Sequence, residues 1–201
     1  MPDRVARTLS PSGPSLYAAA VSSPWRSTEI PGLFRTDRPA LLDERGSFRK
    51  ILGEGDEGEA VPFTVREIYW SHSIRGTFRG LHVPLPPRPS RKVVFVAHGV
   101  VRDVIVDLRR GSPTESLVWD TELTSATGGL VIPEGCAHGF EVLSDEAAMI
   151  YGQEDFYSPE HDGGILFSSA GVELSADRPI VSFRDQQLPT LAEFDSPFVF
   201  R

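Results

Sequence analysis

The stretch Arg75–Leu85, RGTFRGLHVPL, places Arg79 and His82 three residues apart in a segment that reads as β-strand. An arginine holds a phosphate through two parallel charge-assisted hydrogen bonds. A histidine nearby takes up or releases a proton near neutral pH. Together they suit a phosphorylated substrate with an acidic C–H bond. Further along, Lys92, Asp103, His138, Tyr151, Tyr157 and Asp185 add an ammonium group, two carboxylates, a second imidazole and two phenols. Taken singly, each has a structural reading as well: a buried ring with its polar atom bonded, a surface ion pair, a helix cap.

The elements that must position these groups read as β-structure. Seventeen prolines and eighteen glycines interrupt the chain so often that no long stretch shows helical periodicity. Strands are expected at Phe63–His72, Arg91–Ala97, Val100–Leu108, Ser116–Leu123, Gly129–Ile132, Gly139–Leu143 and Ala147–Phe156, with a turn at His98-Gly99. In Val100–Leu108 one face carries Val101, Asp103, Ile105 and Asp107, and two carboxylates on an apolar face predict a wall of a polar cavity. Short strands at this spacing predict a sandwich or barrel. A short helix is expected at Leu188–Phe194, and the acidic Gly53–Glu59 reads as an exposed connection or short helix. Residues 1–24, rich in Ser, Pro and Ala, read as a flexible extension, and 25–201 as one domain.

Composition narrows the function. A net charge of −8 leaves no basic field to draw in nucleic acid, so an anionic substrate must be held by local arginines and lysines. The single cysteine, Cys136, rules out an internal disulfide and a multi-cysteine metal site, and fits a reducing cytoplasm. It reads as a small buried filler. No apolar run approaches the roughly 18 residues of a membrane helix.

Val131–Phe140, VIPEGCAHGF, contains Pro-x-Gly-x-x-His, a tight turn delivering His138 to the start of a strand. This resembles the second motif of cupins, small jelly-roll barrels with a central cavity. Many cupins hold a metal through a His-x-His pair in the first motif. Here His82 is followed by Val83 and Pro84, so that ligand set is missing and no metal is expected.

RGLH at Arg79–His82, Lys92, DVIVDLRRGSPT at Asp103–Thr114, IPEGCAHGF, Tyr151, Tyr157 and Asp185 occur in an order and spacing that resemble one family. It is the dTDP-4-dehydrorhamnose 3,5-epimerase family, cofactor-free sugar-nucleotide epimerases of the cupin fold. The resemblance covers roughly Ile30 to Phe194. It implies an all-β fold, a cupin jelly-roll barrel with short peripheral helices. It implies a dTDP-4-keto-6-deoxyhexose substrate, and no cofactor. His82 would be the base, oriented by Asp185. Lys92 would stabilise the enolate oxygen, and Tyr151 would return the proton from the opposite face. Arg45 and Phe48, in DERGSF at Asp43–Phe48, would reach the nucleotide, coming from the neighbouring subunit of a strand-exchanged homodimer. Arg79 would sit at the pyrophosphate, Tyr157 near the nucleotide and His138 beside the substrate. Asp103 would pair with Lys92 across adjacent strands. The loop PLPPRPSRK resembles versions from antibiotic deoxysugar pathways.

The chain departs from the family pattern at Pro84, Lys50 and Tyr69–Trp70, where glutamine, glutamate and small polar residues are usual. Tyr69–Trp70 reads as packing or subunit interface, and His72, His98 and His161 as turn or surface residues. A sugar-nucleotide 3,4-ketoisomerase and a non-catalytic nucleotide-sugar-binding cupin share the fold and stay open as alternatives. Inversion at C3, at C5 or at both is not decided by spacing.

Overall fold

A computed structural model describes residues 25–36, 40–52 and 63–201. The expected N-terminal extension and the Gly53–Glu59 connection lie outside the described residues. The strands are β1 (Trp25–Ser27), β2 (Phe34–Thr36), β3 (Leu41–Asp43), β4 (Gly46–Phe48), β5 (Glu67–Ile74), β6 (Thr77–Pro84) and β7 (Lys92–His98). They continue as β8 (Val100–Asp107), β9 (Val118–Thr124), β10 (Gly129–Ile132), β11 (Cys136–Val142), β12 (Glu146–Gln153), β13 (Asp162–Gly164) and β14 (Ile180–Val181). One short helix, α1 (Phe183–Gln186), follows.

Two sheets face each other. The first runs β1-β2-β10-β7-β12-β5 and the second β13-β6-β11-β8-β9, with β14 joining β6 in parallel. The core between them takes Val94, Val96, Leu130, Ile132 and Met149 from the first sheet and Val101, Ile105, Leu123, Phe140 and Val142 from the second. This is a sandwich, as the spacing of the strands predicts, and it is cupin-like, as the family resemblance implies. Each large side chain fully buried in such a core contributes about 1.5–3 kcal/mol.

The second sheet is apolar on its outer face too. Phe78, Leu81, Val83, Val104 and Val106 pack there against Ile165, Val172 and Phe198 of the C-terminal segment. That covering carries the chain from β13 back to β6. Ile180 N–H then donates to Gly76 O at 2.8 Å, and β14 lies beside Thr77 and Phe78.

Two expectations need correction. The helix lies at Phe183–Gln186, not at Leu188–Phe194. Ser182 accepts from the Asp185 N–H at 3.1 Å, a cap that starts α1 five residues early. Downstream, Leu191 and Phe194 pack onto the apolar covering, and Thr190–Phe194 closes only a single turn. The polar-cavity face of β8 is half right: Asp103 bonds a residue of the cavity wall, whereas Asp107 is tied to Arg109, Ser112 and Thr114.

Candidate active site

A cavity of about 670 Å³ opens between the sheets. The second sheet contributes Arg79 and His82 from β6 and His138 from β11, and the first contributes Lys92 from β7 and Tyr151 from β12. Tyr157 and Asp162 line it from the segment after β12, and Asp185 from α1. Gly80 of RGLH makes this approach possible. A Cβ on Gly80 would stand 2.5 Å from Gly139 Cα and 2.8 Å from His138 O, so β6 meets β11 closely only with glycine there. His82 and His138 are then direct partners across the two strands.

His82 Nε2 lies 2.8 Å from Asp185 Oδ1. The second oxygen of Asp185 accepts from the Gly80 N–H at 3.2 Å. Burial pushes the Asp185 carboxyl up, but its bonds to His82, Gly80 and Ser182 and the attraction of His82 outweigh this and hold it below the usual carboxylate range. Asp185 is thereby kept as an anion behind the imidazole.

Tyr151 stands on the facing sheet. Its hydroxyl is 3.2 Å from Ser71 Oγ, and its ring stacks on Tyr69. Burial, with Asp103 nearby, raises its pKa above that of an ordinary phenol despite the Ser71 bond and Arg79. At neutral pH it is a proton donor. Lys92 is buried, and its ammonium has no hydrogen-bond partner among the described residues. Burial lowers its pKa, partly opposed by the charge of Asp162. An amine held in a cavity with no hydrogen-bond partner among the described residues is suited to meet a developing oxyanion.

His138 bonds Asp103 Oδ2 at 2.9 Å, and both are buried. This overturns the expected Lys92–Asp103 pair: Lys92 lies in the first sheet beside Ile132 and Gln153, whereas Asp103 lies in the second. Arg79 donates from Nε to Ser73 Oγ at 2.9 Å at one end of the cavity.

Arg45 and Phe48 do not line this cavity. They sit on the β3–β4 hairpin, which among the described residues pairs with no other strand, and both are exposed. Several wall residues lie outside the set the sequence points to, among them Glu67, Ser71 and Asp162, and two lie where the sequence reads otherwise. His161, expected at the surface, lines the cavity with Nδ1 2.8 Å from Ser158 Oγ. Tyr69, expected as packing or interface, lines it too, as does Gln153. The signal for Tyr69 is the alternation in β5, where Glu67, Tyr69, Ser71 and Ser73 share the inner face and Ile68, Trp70, His72 and Ile74 point to solvent. The polar side is the inner one, the reverse of the usual pattern.

The match to the family model of dTDP-4-dehydrorhamnose 3,5-epimerase spans residues 27–193. The chain belongs to that family. As a member it is an isomerase. It is 39% identical over 163 residues to the dTDP-4-dehydrorhamnose 3,5-epimerase of Shigella flexneri, covering 79% of this chain and 90% of that protein. A solved structure, a 4-keto-6-deoxy sugar epimerase from the novobiocin biosynthetic gene cluster of Streptomyces spheroides, superimposes with a TM-score of 0.80 at 32% identity. The alignment covers 84% of this chain and 87% of that one. The dTDP-6-deoxy-D-glucose-3,5-epimerase of Legionella pneumophila, solved in complex with dTDP-4-keto-L-rhamnose, gives 0.82 at 28% identity, with 88% and 98% covered.

Proposed function

We propose that this isomerase inverts C3, C5 or both in a dTDP-linked 4-keto-6-deoxyhexose, within deoxysugar biosynthesis and without a cofactor. The observation that carries this reading is that the imidazole–carboxylate pair and the phenol come from facing sheets across one cavity. Inversion needs this arrangement, because the proton must leave one face of the sugar and return on the other.

The 4-keto group acidifies the neighbouring C–H bonds. The His82 ring nitrogen not bonded to Asp185 takes the proton, and the C–H electron pair moves onto the 4-oxygen. Asp185, held as an anion, stabilises the imidazolium. The Lys92 ammonium stabilises the enolate oxygen as its charge grows. Tyr151 then donates its hydroxyl proton to the opposite face, and solvent restores both residues. Arg79 would hold the diphosphate, Tyr157 would pack near the nucleotide, and His138, fixed by Asp103, would hydrogen-bond the sugar.

We place Arg45 and Phe48 in the partner's site of a strand-exchanged homodimer. Supporting this, the β3–β4 hairpin leaves Leu42 and Phe48 exposed, and edge strand β5 presents Ile68, Trp70 and Ile74 to solvent. An edge that no other described strand pairs with, and that carries an apolar face, is surface that a second copy of the chain would cover. A cytoplasmic setting agrees with Cys136, whose thiol burial pushes up to about 12 and so keeps protonated.

Proton NMR of dTDP-4-keto-6-deoxyglucose in deuterated water tests the reading. Loss of the H3 and H5 signals, or of one of them, with an inverted product is the expected result. Migration of the keto group to C3 would replace the epimerase by a 3,4-ketoisomerase. No change, with dTDP binding established separately, would leave a binding protein.

A further inference from the structure

Tyr69 has a place in the cavity that the mechanism above does not use. It lies directly opposite Tyr151 across β5 and β12. The two rings stack with centroids 4.7 Å apart and planes 11° from parallel. On another side of Tyr151 the His138 ring meets it edge-on, 6.2 Å away at 67°. Tyr151 is thus held between two rings, with Ser71 at its hydroxyl.

Tyr69 is itself anchored. Its hydroxyl donates to Gln153 Oε1 at 3.3 Å, and Gln153 Nε2 donates to Glu67 Oε2 at 2.8 Å. The same carboxylate oxygen accepts the Tyr157 N–H at 2.7 Å. A residue that only filled space would need no such chain of bonds.

We propose that Tyr69 is a positioning residue for Tyr151, and that its stack decides whether the enolate is inverted or merely exchanged. The proposal rests on the epimerase reading. Once His82 has taken the carbon-bound proton, the enolate has two fates. It can take the Tyr151 hydroxyl proton on the opposite face, giving the inverted centre and a phenolate that solvent reprotonates. It can instead take a proton back from His82 on the original face, after the imidazolium has exchanged with solvent. The second path labels the carbon without inverting it. A phenol free to tilt loses the first path and leaves the second intact.

The readout is a ratio, inverted product against deuterium incorporated with retention, measured by NMR on dTDP-4-keto-6-deoxyglucose in deuterated water. Tyr69→Leu removes the stack and is expected to lower the ratio roughly three- to tenfold, the worth of one aromatic pair. Tyr69→Phe keeps the stack and is expected to restore the ratio to nearly that of the unchanged protein. Tyr69→Asn carries the same expectation as Tyr69→Leu if the leucine variant does not fold, as judged by circular dichroism. An unchanged ratio in the variants lacking the ring would overturn the proposal, even if both rates fell together, since that is what general loosening would do. A fall in Tyr69→Phe as deep as in Tyr69→Leu would also overturn it, by assigning the effect to the hydroxyl. Absence of both exchange and inversion in the unchanged protein is a different failure, that of the epimerase reading itself.

Discussion

His82 and His138 face each other across β6 and β11, and each bonds an aspartate through Nε2, at 2.8 Å and 2.9 Å. The two pairs contain the same groups, yet their surroundings differ. The His82 side chain is 25% exposed and that of His138 only 5%. Asp185 receives bonds from His82 and the Gly80 N–H, and they hold its carboxyl low against the cost of burial. For Asp103, burial wins over the charge and bond of His138 and raises the pKa, and its Oδ1 has no hydrogen-bond partner among the described residues. One pair is therefore a base with a permanent counter-charge. The other is a wall element whose carboxyl resists ionisation. Identical residue types divide into two roles because of what else touches the carboxylate.

That contrast can be broken most strongly at the aspartates. Asp185→Asn keeps the shape but removes the anion behind His82. Turnover should fall roughly 10²–10⁴-fold while dTDP binding measured by calorimetry changes little. Asp103→Asn removes a charge its site already disfavours, and turnover should stay within about tenfold, the worth of one hydrogen bond. Equal losses from both would erase the distinction.

Lys92 sharpens the comparison from the facing sheet. Lys92→Met should cost roughly 100-fold or more in turnover by removing the charge at the enolate oxygen. Because its pKa is lowered by burial, the folded state carries the ammonium at a penalty at neutral pH. The methionine variant should therefore be as stable as the original or more so in denaturant titration. A destabilised variant would mean that the ammonium is paired in solution.

The smallest effect is on stability against pH, and the two carboxylates have opposite signs. A lowered folded pKa means that Asp185 contributes stability above the unfolded value near 3.8, lost as pH falls through the folded pKa. A raised folded pKa means that the share of Asp103 declines as pH climbs from 3.8 through its folded pKa. Chemical denaturation between acid and neutral pH should show the Asp185→Asn deficit shrinking toward low pH. The Asp103→Asn curve should lack a decline that the unchanged protein has. Parallel curves for both variants would contradict the assignments.

Much of this was legible in the chain. Val93–Val96 and Val104–Val106 read as strands because β-branched runs do, and Gly99 marked the turn between them. Arg79 and His82 in RGLH and the Pro-x-Gly-x-x-His turn in IPEGCAHGF point to the cavity by residue type and spacing, whereas the need for Gly80 where β6 meets β11 shows only in the fold. The aspartate partners are only half legible: the family resemblance supplies Asp185, but it pairs Asp103 with Lys92, since sequence does not say which sheet a strand joins. Tyr69 was hidden because β5 turns its polar face inward, so a tyrosine beside a tryptophan read as packing. The helix was misplaced because its start depends on one Ser182 bond and its four residues show no periodicity.

The most direct measurement compares His82→Ala with His138→Gln in deuterated water, following proton exchange at the sugar by NMR and dTDP affinity by calorimetry on the same samples. Exchange should fall about 10³-fold or more in the first variant with dTDP affinity retained, and stay within about tenfold of the original in the second. Exchange that survives in His82→Ala, or is lost equally in His138→Gln, would contradict the assignment of His82 as the base.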